Sequence, residues 1–124
     1  MARRVSSARQ SRLPGGKTRL AKHPVVGRWR IIEADLWDRD YLDLSGPALI
    51  TFGTEGDGEF SFGALHGDMD LEYRPATIAF TWAGFDEGVE VSGAGSAELD
   101  RNGDLKIELS FHLGDDAVLT ARRE

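Results

Sequence analysis

Hydrophobic residues in this chain recur at every second position, in short runs broken by Gly and Asp. Residues 77–82 show the rule most clearly: Ile78, Phe80 and Trp82 point one way, and Thr77, Ala79 and Thr81 the other. A period of two is the mark of a strand with one buried face. The same reading predicts strands over 25–33 (Trp29 and Ile31 together), 47–52 (Ala48, Ile50, Phe52), 59–65 (Phe60, Phe62) and 69–73. Beyond 77–82 it predicts strands over 90–99, over 105–113 (Leu105, Ile107, Leu109, Phe111 and Leu113 on one face) and over 117–121. Turns are expected at Gly56-Asp57-Gly58, His66-Gly67-Asp68, 84–88, Asn102-Gly103 and Gly114-Asp115-Asp116. Residues 36–44, LWDRDYLDL, do not alternate; they read as a helical turn or long loop with Leu36, Trp37, Tyr41 and Leu44 folded inward.

No helical period separates these eight strands, so parallel βαβ units are disfavoured. An antiparallel up-and-down arrangement is expected. Closing it into a barrel removes the exposed sheet edges, with two packed sheets as the competing solution. Gly93 and Gly95 fall on the inward face. There they suit a bend or close packing against a large ring such as Trp82, or simple filling by small residues.

Composition adds a boundary. Of 124 residues 40% are hydrophobic and 29% charged, which fits one folded domain rather than a disordered chain. The formal charge of −6 hides a split: residues 1–24 carry seven Lys/Arg and no acid, leaving the other eight Lys/Arg and all 21 acids to residues 25–124. The first segment, rich in Ser, Gly and Pro, reads as a disordered basic tail; the barrel domain is 25–124. There is no Cys, which excludes a disulfide framework, a thiolate nucleophile and a Cys-based metal site. No run approaches the length of a membrane helix and no signal-peptide stretch opens the chain, so a soluble, cytoplasmic protein without membrane contact is expected.

Gly27-Arg28-Trp29 on the first strand resembles the G-x-W that opens lipocalin-like barrels. That resemblance implies a lipocalin-like (calycin) barrel in which Trp29 is a structural plug at one end. A longer run is similar to a family of short bacterial proteins of unknown function. It comprises WRIIEADLWDRDYLDLSGPALITF, GDGEFSFGALHGDMD, FTWAGFDE and HLGDDA, and spans most of 25–121. Leu71 stands where many members carry Cys, and Gly93-Ala94-Gly95-Ser96 stand where they carry larger residues. Those departures argue against a shared reactive site there. The family implies a fold and no chemistry.

Several constellations invite chemistry. Gly15-Gly16-Lys17-Thr18 echoes a phosphate-binding loop, but Ser11 replaces its first Gly and no strand–loop–helix context surrounds it. Asp38, Asp40 and Asp43 could hold a hard cation, yet lack the EF-hand register, and helix capping explains them more cheaply. His66, Asp68 and Asp70 form one His–carboxylate cluster and His112, Asp115 and Asp116 another. Either could serve metal binding or acid–base work; whether they meet cannot be read from the sequence. The basic tail could make weak, salt-sensitive contact with phosphate backbones. The acidic body would repel nucleic acid.

The expectation is therefore an all-β, eight-stranded, lipocalin-like barrel. Its favoured role is non-catalytic binding of a small apolar or amphipathic ligand near Trp37, Tyr41, Phe62 and Trp82. The alternative is a filled barrel acting as a protein-interaction or assembly module. No catalytic residue, metal or cofactor is assigned, and the oligomeric state is left open.

Overall fold

The computed structural model describes residues 23–124. The Gly15–Thr18 motif and nearly all of the expected basic tail, with its nucleic-acid contact, lie outside the described residues. Eight strands follow in order: β1 (Gly27–Ala34), β2 (Leu49–Phe52), β3 (Asp57–Phe62), β4 (Leu65–Tyr73), β5 (Thr77–Asp86), β6 (Val89–Leu99), β7 (Leu105–Phe111) and β8 (Asp116–Arg123). One helical turn, α1 (Arg39–Leu42), sits between β1 and β2. Each strand pairs antiparallel with the next, and β1 pairs with β8, so the sheet closes into a barrel. Among the described residues no edge strand is left to template aggregation.

The inward face is the one the alternation marks. Trp29, Ile31, Ile50, Phe52, Phe60, Phe62, Ile78, Phe80, Trp82, Ile107 and Leu109 are buried, and no buried residue among those described is polar or charged. The interior is occupied by rings. Phe60 lies 5.2 Å from Trp82 and 5.9 Å from Phe62, and Phe52 lies 6.1 Å from Phe80, measured between ring centroids. Gly93 pairs with Trp82 and Gly95 with Phe80. A Cβ on Gly93 would come 2.9 Å from the indole Nε1, and one on Gly95 2.5 Å from Phe80 Cζ. Close packing is what is observed: besides the rings, the β7 carbonyl oxygens of Ser110 and Glu108 crowd the same positions, and neither position leaves room for a Cβ.

One end of the barrel is sealed by Trp29. Its Nε1–H donates to Val25 O at 2.9 Å. The Arg123 guanidinium of β8 covers the indole at 4.1 Å from its centroid. It also donates to Val26 O and Pro24 O, each at 2.7 Å. β8 is thus joined to β1 by a cation–π contact and to the segment just before β1 by two charge-assisted hydrogen bonds.

Local expectations needed correction where Gly was read as a turn. His66-Gly67-Asp68 lies inside β4, and the chain turns instead at Gly63, which has φ +59°. Gly67 is small because the Phe60 ring packs on it; a Cβ there would lie 2.5 Å from Cζ. Likewise β3 begins at Asp57, so the preceding turn ends at Gly56. β5 runs through Gly84 to Asp86, and Glu87 and Gly88 make the turn with φ +53° and +83°. Leu113 does not join the β7 face: it occupies a positive-φ turn position and is fully exposed. In 36–44 the buried residue is Leu42, whereas Leu36 and Leu44 face solvent. A single turn of helix points only one of these leucines at the barrel.

Candidate functional site

The α1 end of the barrel gathers the four expected ligand-contact residues. Asp38 caps α1 by accepting from Tyr41 N at 2.9 Å. Asp43, just beyond it, accepts from Ala48 N at 3.0 Å and from Arg30 Nη2 at 2.8 Å. Asp38 thus caps α1 from within, and Asp43 ties its end to Arg30 of β1 and to Ala48 just before β2. The Tyr41 ring rests on Gly63, where any Cβ would collide with it, and its hydroxyl accepts from Ala64 N at 3.2 Å. Gly63 N–H donates to Leu42 O at 2.9 Å. α1 is therefore pinned to the β3–β4 turn.

This pinning sets Trp37 across the barrel mouth. Its ring centroid lies 5.1 Å from Phe62, 6.1 Å from Tyr41 and 6.2 Å from Phe111. Phe111 lies 5.2 Å edge-on to Trp82, which in turn meets Phe60. Trp37, Phe62, Phe60, Trp82 and Phe111 form a closed circuit of rings. Trp82 Nε1–H donates to Ser110 O at 3.2 Å, so its polar atom is engaged. Trp37 and Tyr41 are half-buried, while Phe62 and Trp82 are buried. Phe111 is half-buried; its place in the circuit depends on how β7 ends, which local alternation does not reveal.

Around this mouth the surface is apolar and acidic together. The exposed large hydrophobic residues among those described are Leu36, Leu44, Phe85, Val89, Leu113 and Val118. All six lie at or beside the α1 end, where β1, β5 and β7 finish and β6 and β8 start. Leu36 and Val118 are close neighbours, because Asp35 N donates to Val118 O at 3.1 Å and Val118 N to Asp35 Oδ1 at 2.9 Å. Asp35, Asp38, Asp40, Asp86, Glu87, Glu90, Asp115 and Asp116 sit among them. Arg39 is the one described cation at this rim outside an ion pair with an acid, since Arg30 is held by Asp43.

The two His–carboxylate clusters come together only in part. His66 and Asp68 share an open outer-face groove of about 730 Å³ with Phe85, Glu90, Val91 and His112. Asp70, Asp115 and Asp116 do not line it. Glu59 of β3 stands directly across from Asp68. No helix among the described residues is long and apolar enough to cross a membrane.

No protein-family model matches this chain. No curated protein matches it either.

Proposed function

We propose that this barrel is a protein-interaction module. In this reading it docks a partner segment that bears apolar side chains flanked by Lys or Arg. The observation that carries it is the placement of Leu36, Leu44, Phe85, Val89, Leu113 and Val118 at the acidic rim of a barrel whose interior is already occupied. Exposed apolar groups concentrated on one patch mark contact surfaces. The surrounding carboxylates favour a cationic partner and penalise an acidic one. An occupied interior leaves little room for a ligand inside. The likeness to lipocalin-like barrels and to short bacterial proteins belongs to this proposal, with Trp29 under Arg123 as its support. A cytoplasmic location is part of it too.

The small-ligand reading stands second. It is favoured by the half-buried Trp37–Tyr41 stack, against which an apolar ligand would lie. Titration with apolar dyes tests it: quenching must disappear in Trp37→Phe.

The interaction reading is tested by a photo-crosslinking amino acid placed at Leu113 and, separately, at Asn102 near the Trp29 end. Adducts are expected from position 113 and not from 102. Their crosslinked peptides should carry Lys or Arg beside apolar residues, and yield should fall with added salt. Equal adducts at both positions, acidic peptides, or no adduct at 113 would refute the proposal.

A further inference from the structure

The outer face of β3 and β4 contains a conflict that the fold does not need. The pairing register sets Glu59 directly opposite Asp68 and Asp57 directly opposite Asp70. Like charges opposed across strands destabilise a sheet. The flanking strands supply no relief. Thr51 of β2 lies opposite Glu59, and Ala83 and Phe85 of β5 lie opposite Asp68 and His66. Arg28 lines the same groove as Glu59 and His66, but its guanidinium is engaged by Glu124 at 3.0 Å. Among the described residues, neither Glu59 nor Asp68 has a Lys or Arg partner.

His66 completes the arrangement. It lies two residues before Asp68 on the same face, with Nε2 at 3.9 Å from Asp68 Oδ1. One ligand atom from each of Glu59, His66 and Asp68 falls within 4.8 Å of the other two. Ligands about 2.1 Å from a tetrahedral ion stand roughly 3.4 Å apart, so these exposed side chains need to close by at most about 1.4 Å. A same-strand i, i+2 pair plus a cross-strand residue gives three donors on one side of an ion, fixed by a rigid sheet.

We infer that Glu59, His66 and Asp68 form a surface site for a divalent transition ion of the zinc class. The imidazole nitrogen selects this class over Ca²⁺ and Mg²⁺, which take oxygen ligands. Three protein donors leave a position for water. The bound cation also removes the Glu59–Asp68 repulsion, which links its binding to barrel stability. The site borders the rim surface proposed above, since His66 pairs with Phe85 and both line one groove, but the metal readouts below do not depend on that interaction.

The test titrates the full 124-residue chain, stripped with chelator, with Zn²⁺ alone. Calorimetry and thermal melts give the readouts. One ion per chain is expected, with a melting temperature that rises as the site fills. His66→Gln and Glu59→Gln should each weaken binding at least tenfold. His23→Gln, His112→Gln and Asp70→Asn should stay within twofold. Glu59→Gln carries a second signature: in chelator it melts higher than the parent, and in Zn²⁺ lower. Absence of binding, binding unchanged in His66→Gln, loss in His112→Gln or His23→Gln, or equal binding of Ca²⁺ at the same residues would each overturn the assignment.

Discussion

Replacing Phe60 with Ala asks whether the barrel interior is as full as the functional reading requires. Phe60 is 2% exposed, and its ring touches Gly67 and stacks near Phe62 and Trp82. Removing the ring forfeits about 2–3 kcal/mol of burial. If roughly 50 Å³ stays open, the cavity adds about 1.2 kcal/mol at about 24 cal/mol per Å³. The expected loss is therefore about 3–4 kcal/mol, near 2 M in urea midpoint for a slope of about 1.5–2 kcal/mol/M. Phe60→Leu, which keeps most of the volume, should cost under about 1.5 kcal/mol and guards against a variant that fails to fold. Phe85→Ala on the outer face should stay within about 0.5 kcal/mol. Benzene supplies the second readout: it should raise the melting temperature of Phe60→Ala, whose dry apolar cavity accepts it, and leave the parent unmoved. A parent stabilised by benzene, or a Phe60→Ala loss below about 1 kcal/mol, would show an interior already open. The interaction reading would then give way to the ligand reading.

Three further outcomes test other parts of the structure. Burial raises the Tyr73 phenol above its usual 10.0, and the nearby Asp57 and Glu55 charges add to this against the opposing Gly56 hydrogen bond. Folding then favours the neutral phenol: its contribution is whole below pH 10 and is lost as pH climbs through the raised value. Urea midpoints should therefore fall less steeply above pH 10 in Tyr73→Phe than in the parent. At pH 7 the variant should be about 1 kcal/mol weaker, because Gly53 O and Gly56 N lose the hydroxyl. Arg123→Ala should cost about 1–2 kcal/mol and alter Trp29 emission. Lys at the same position should recover little, since one ammonium cannot cover the indole and reach two carbonyls. Asp43→Ala should lose about 1–2 kcal/mol by freeing Ala48 N and Arg30, whereas Asp40→Ala should be neutral within about 0.5 kcal/mol, both read from urea melts.

The barrel was legible because its inner face is nearly a pure period-two set; Ile78, Phe80 and Trp82 have one place to go once one face must leave water. The aromatic mouth was half legible. Trp37 and Tyr41 looked apolar in a segment with no period, but which leucine of that segment is buried depends on how Asp38 and Asp43 anchor a single helical turn. The Glu59–His66–Asp68 grouping was hidden by a specific misreading. Placing a turn at Gly67 removes His66 from β4, and with the true turn at Gly63 the register brings Glu59 and Asp68 face to face. Gly67 deceived because local sequence does not say whether a glycine serves the backbone or the ring packed on it. The inner face is dictated by packing, so its residues report the fold. The outer face is free of that demand, and two acidic pairs set opposite each other there oppose the sheet that carries them. A choice that costs stability without serving the core is where function is to be sought on this molecule.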